Sequence, residues 1–225
     1  MTASIILNKS PQAQYLLRIA DTCLILGQRI AEWCGHAPVL EEDIALTNMA
    51  LDLIGQARAV LSHAGRFTAA QGATHDEDQL AFLRDENDYF NPTIVELPNG
   101  PGRPGDFAFT VLRNLAVSTL LKLLWQRLTQ SADAELAAIA AKALKEARYH
   151  QQHTADWVVR LGDGTDDSHR RCEAALAQLW RFTAELFDAD TVDEAAQAAG
   201  IGPRWADLHA NWKAEVDAVL QQATL

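Results

Sequence analysis

Cysteines, helix-breaking residues and cations are all scarce in this chain. Its three cysteines, Cys23, Cys34 and Cys172, are an odd set and form no closed disulfide framework. Cys23 and Cys34 stand roughly 16 Å apart along a helix, too far to pair within it. All three read as buried structural thiols of a reducing compartment. Lys and Arg number 19 against 30 Asp and Glu, for a net charge of −11. Such a balance argues against nucleic acid or an anionic membrane surface as partner. Residues 1–10 carry no basic segment leading into an apolar run, so no signal peptide is expected. No apolar stretch of about 18 residues stands out, so no membrane span is expected. Phosphate-binding loops, dinucleotide turns and the Gly-x-Ser-x-Gly elbow are absent, and the cysteines lack metal spacing. The reading is a soluble cytoplasmic protein.

What remains is helix. Hydrophobic residues make up 48% of the 225, enough to bury a core in one domain. The 12 glycines and 7 prolines gather between long Ala- and Leu-rich periodic stretches. Ser10-Pro11 reads as an N-cap and first helical residue, opening a helix to about Cys34. A second runs from about Glu41 to His63, with acids in its first turn and Gly65 as its stop. A short helix is expected at Asp76–Leu83. Asn87–Gly105 is too polar and too rich in Pro and Gly for helix and reads as a long irregular crossover. A third long helix covers about Asp106–Gln130 and a fourth Asp133–Leu161. A fifth follows Thr165 to about Phe187, then a short acidic helix at 191–198 and a last helix to the end. The expected fold is all-α: a ferritin-like four-helix bundle over about 11–161, with a C-terminal helical appendage over about 165–225, in a single domain.

A carboxylate di-metal bundle takes one inward Glu from each of two helices and a Glu-x-x-His from each of the other two. The three-residue spacing puts acid and imidazole on one helix face. No Glu-x-x-His occurs here. On the fourth helix Glu146 is followed by Tyr149 at the imidazole position, and His150 comes one residue late. The inward stripe there reads Leu136, Ile139, Ala143, Ala147, His150, Thr154. On the apolar second helix Asp52 reads as a buried carboxylate, with Gly55 where the imidazole would be. Gln28 stands on the first helix where an acid is expected, and the third helix offers none. Lys122 or Arg113 is a candidate cation substituting for the lost metal charge beside Asp52 or Glu146; a Lys122 snorkelling to the surface is the plainer alternative. His153 could share a metal with His150, or both could be hydrogen-bonded inside the bundle. Asp166 and His169 read as a solvated helix start. The expectation is a vestigial site at Gln28, Asp52, Gly55, Glu146, Tyr149 and His150 that binds no metal or cofactor. The alternatives are a ferritin-like metal oxidase with a variant site at Asp52, Glu146 and His150, or a helical adaptor unrelated to oxygenases.

Four segments carry a resemblance: Leu26–Pro38, Leu51–Arg58, Lys145–His150 and Leu179–Asp190, joined by Phe90–Gly100. Together they resemble the C subunit of the bacterial ring 1,2-phenylacetyl-CoA epoxidases, in the ferritin-like superfamily. The resemblance is interrupted after Gly100, where Pro101–Gly105 reads as an extra loop. It implies a non-catalytic structural role in phenylacetate breakdown. The expected partners are a di-iron A subunit that holds the acyl-CoA, a B subunit that links such pairs, and a flavin and iron–sulfur reductase fed by NADPH. Alone, the chain is expected to form a homodimer or await its partner. Members of that family usually extend past the position of Leu225, so a truncated tail is expected.

Overall fold

The computed structural model describes residues 5–69, 74–103 and 105–225. Four long helices dominate: α1 (Pro11–Ala31), α2 (Leu40–Thr68), α5 (Phe107–Leu128) and α6 (Ala134–Gly162). Between them lie α3 (Glu77–Phe82) and the single turn α4 (Thr93–Glu96); after them come α7 (Asp166–Leu179), α8 (Thr191–Ala198) and α9 (His209–Gln222). α1 pairs with α2, α5 with α6, and α2 closes against α6. Among the described residues there is no strand.

The helix starts follow local chemistry. The Ser10 hydroxyl accepts the amide of Ala13 ahead of Pro11. Asp106, Asp133 and Thr165 cap α5, α6 and α7 in the same way, and Asp76 with Gln79 forms a capping box on α3. Gly65 does not stop α2, which runs on to Thr68. A side chain at Gly65 would meet the backbone carbonyl of His75, 1.9 Å from where its Cβ would stand. The glycine lets the returning chain pass, and the Gly65 carbonyl accepts the His75 amide at 3.1 Å. α7 likewise falls short of Phe187: the chain tightens into 3₁₀ turns at Trp180–Phe182 and Ala184–Phe187.

α5 corrects a further expectation. Phe107–Leu128 is long and apolar enough by length and composition to cross a membrane. Its apolar residues point all round because other elements surround it, and most of its residues are buried within the fold. Cys23 and Cys172 are buried, but Cys34 is exposed beyond the end of α1.

Two buried cations fasten the crossover between the hairpins. Arg84 forms a fully buried ion pair with Asp21 of α1, whose Oδ2 also accepts the Phe90 amide at 3.0 Å. Its guanidinium lies 4.0 Å from the Tyr89 ring centroid. Arg113 of α5 donates to the Leu97 carbonyl at 2.8 Å and to Asn99 Oδ1 at 2.7 Å. Asn99 in turn donates to the Arg29 carbonyl and to Glu32. Burial pushes the Arg113 guanidinium down to about 9. One turn of the crossover, α4, is helical despite the Pro and Gly around it; Pro92 precedes it in extended backbone. Within the expected extra loop at Pro101–Gly105, Pro104 lies outside the described residues.

The C-terminal helices are anchored on α1 and α5. Arg18 pairs with Asp190 and with buried Asp193, the latter at 3.0 Å. Tyr15 donates to the Pro203 carbonyl at 2.8 Å, and Trp212 donates to the Ala116 carbonyl at 2.7 Å. Asp21→Ala strands the buried Arg84 charge, and we expect it to cost about 3–5 kcal/mol in urea unfolding. Loss of less than about 1 kcal/mol would mean that the pair is not buried in solution.

Candidate functional site

The seam between α2 and α6 is a ladder of polar pairs. From end to end it couples Glu42 with His153 (3.1 Å), Asp52 with His150 (3.0 Å), Gln56 with Glu146 (3.0 Å) and His63 with Asp133 (2.6 Å). Arg66 and Glu135 form a further ion pair. Residue numbers rise on one helix as they fall on the other through most of the series, as antiparallel helices require.

Gln56 is the centre of the ladder. Its Nε2 donates to Glu146 Oε2, and its Oε1 accepts from Trp125 Nε1 at 3.2 Å and from Cys23 Sγ at 3.7 Å. One amide thus reaches a residue on each of the other three long helices. Cys23 sits against this polar group with its thiol pushed well above the ordinary range, first by burial and then by Asp21 and Glu146. Deeper in the core, Ser118 and Thr154 hydroxyls lie 3.2 Å apart, linking α5 to α6.

Three of the six expected positions meet at the seam and three do not. Asp52, Glu146 and His150 meet there. His150 is buried, but the Asp52 side chain is 38% exposed, so it is a rim carboxylate and not a core one. Gln28 is exposed on the outer face of α1, because the inward phase there runs Cys23, Leu26, Ile30. Gly55 is exposed too: the residue directed inward is its neighbour Gln56. Tyr149 is 53% exposed, out of phase with Ala147 and His150. The inward stripe of α6 passes through Ala140, with Ile139 only partly buried.

Neither candidate cation sits beside these acids. Lys122 pairs with Glu215 of α9, and Arg113 serves the crossover. His153 pairs with Glu42, and Asp166 is exposed at the start of α7 with His169 bonded to the Gly162 carbonyl. Gln56 was not singled out by its residue type. Its signal in the sequence was a polar residue one helical turn after Asp52 on an apolar helix, which a pattern of acids and imidazoles does not include.

The donors do not fit a di-metal centre. Glu146 is engaged by an amide and Asp52 by an imidazole, and among the described residues no three His, Cys, Asp or Glu side chains gather as a metal site. Burial holds the His150 imidazole below its ordinary value, against the pull of Asp52 and Glu146. Two surface features flank the seam. A groove of about 370 Å³ opens over Gly55 between Leu51, Ile139 and Lys142. Beside it Leu40, Ile44 and Leu51, spaced to share one face of α2, are each more than half exposed, and Ile54 continues the stripe.

Gln56→Leu removes the partners of Trp125 Nε1 and Glu146, and should cost about 1–3 kcal/mol for each group left unpaired, read from urea unfolding. The folded pKa of His150 lies below its unfolded value near 6.5. Stability from this group is therefore complete above about pH 6.5 and falls as pH drops below it. His150→Gln should flatten that part of the stability–pH curve.

Comparison with known proteins places this arrangement. A profile of the family described as phenylacetic acid catabolic protein matches residues 2–225. The C subunit of the Escherichia coli (strain K12) 1,2-phenylacetyl-CoA epoxidase is 50% identical over 211 residues, covering 94% of this chain and 82% of that protein. The helices, their long crossover and the polar seam at their centre thus belong to a ferritin-like chain of the phenylacetic acid catabolic protein family.

Proposed function

We propose that this chain is a non-catalytic structural subunit of a multicomponent 1,2-phenylacetyl-CoA epoxidase, a monooxygenase of aerobic phenylacetate breakdown in the cytoplasm. The observation that carries the reading is the use of the acids at the seam between α2 and α6. Glu146 is bonded to Gln56 and Asp52 to His150, in a chain half identical to an epoxidase C subunit. Side chains committed to one another in this way hold helices together and leave no set of ligands free for oxygen chemistry. In this reading the di-iron centre and the acyl-CoA belong to a catalytic A subunit. A B subunit links such pairs, and a flavin and iron–sulfur reductase brings electrons from NADPH.

The exposed stripe on α2 supports an assembly role. Leu40, Ile44, Leu51 and Ile54 leave an apolar face in water that a partner protein would cover. The groove over Gly55 lies beside it and offers a recess for a protruding side chain. Without that partner the same face favours self-association.

Co-expression with the catalytic subunit of the same complex tests this. The wild-type chain should co-purify with it in a fixed ratio, and the pair with the remaining components should epoxidise phenylacetyl-CoA where neither does alone. Ile44→Glu with Leu51→Glu, both on the exposed face, should keep the helical circular dichroism and lose at least about tenfold in complex yield. A wild-type chain that fails to bind the catalytic subunit contradicts the proposal. A double variant that binds normally moves the interface off α2.

A further inference from the structure

Asn114 lies in the middle of α5, 1% exposed, and neither its Oδ1 nor its Nδ2 meets a protein partner among the described residues. An amide buried without hydrogen bonds is costly, and native cores rarely keep one. Its neighbours on α5 show the contrast. Arg113 has two of its guanidinium nitrogens bonded, to Leu97 and Asn99, and the Ser118 hydroxyl meets that of Thr154. Asn114 faces elsewhere, into a small enclosed cavity among the four long helices.

That cavity has a defined chemistry. Gln56, Asn114, Ser118 and His150 supply its polar wall, and aliphatic side chains such as Leu26 and Leu53 supply the rest. It leaves about 10 Å³ for the centre of a water-sized sphere, which is on the order of one water molecule and no more. The polar wall has unused capacity. The Asn114 amide brings both donors and an acceptor, and the Gln56 amide nitrogen has a second hydrogen beyond the one given to Glu146. A buried water needs two to four such partners.

We propose that one water molecule is a fixed component of this core, held by Asn114 and bridging α5 to Gln56 of α2. The wall selects water over the alternatives. A hard divalent cation takes about six or more ligands, usually with carboxylates among them, whereas three of the four polar residues here are neutral amides or a hydroxyl, and the Nε2 of His150 is taken by Asp52. An organic ligand does not fit the volume. The water gives Asn114 the partners it lacks and uses the second amide hydrogen of Gln56. This inference rests on the geometry of Asn114 and holds whether or not the chain serves in an epoxidase.

A crystal structure of the full chain, at a resolution that shows ordered solvent, tests it. The expected result is a density peak at about 2.7–3.2 Å from an Asn114 amide atom with a second contact to Gln56 or Ser118. Well-defined density for Asn114 with no such peak overturns the proposal. In solution, water relaxation dispersion should count one fewer long-lived internal water in Asn114→Leu than in the wild type. An equal count contradicts the assignment. The density of the wild-type chain decides the matter however well the variant folds.

Discussion

The rest of the core depends on the Gln56 amide. It is on α2, and its partners Cys23, Trp125 and Glu146 lie on α1, α5 and α6. A bundle of four long helices packs by apolar contact alone with little to fix rotation or register. A buried amide that must find its partners on three neighbours removes that freedom, because any slip leaves a donor or acceptor unpaired in a low-dielectric interior. The outer ladder of Glu42–His153, Asp52–His150 and His63–Asp133 extends the same restraint along the seam between α2 and α6.

An amide suits this place where an acid would not. Several carboxylates directed at one another in a dry core repel unless cations lie between them. Gln56 offers a donor to the one acid that approaches it, Glu146, and an acceptor to the indole and thiol that complete its surroundings. The cations that are buried, Arg84 and Arg113, stand at the crossover and not at the centre. The bundle thus divides its polar work: guanidinium groups fasten the long connection, and an amide with its partners on three helices joins the middle.

Much of this was legible in the residues, and the failures have physical causes. The helix starts at Ser10, Asp106, Asp133 and Thr165 were legible because each cap is a local hydrogen bond between adjacent positions. Gly65 misled, since a glycine serves close approach as well as termination, and only the return of His75 beside it tells which. The apolar length of α5 was underrated because continuous burial and a membrane span share one composition. At the site, Glu146, Asp52 and His150 were found by residue type. Gln28, Gly55 and Tyr149 were placed by offset within a motif, and the helical phase turns all three outward. Lys122 looked like a core cation because its partner, Glu215, is 93 residues away on α9.

In this chain of the phenylacetic acid catabolic protein family, the centre of the bundle is a joint between helices. The acids at the seam are bonded to protein groups, Glu146 to Gln56 and Asp52 to His150. The direct measurement is elemental analysis of the purified chain after anaerobic exposure to ferrous iron, with thermal unfolding recorded before and after. Iron at background and an unchanged melting temperature are the predicted result. About two irons per chain, with a raised melting temperature that Glu146→Ala abolishes, would contradict it.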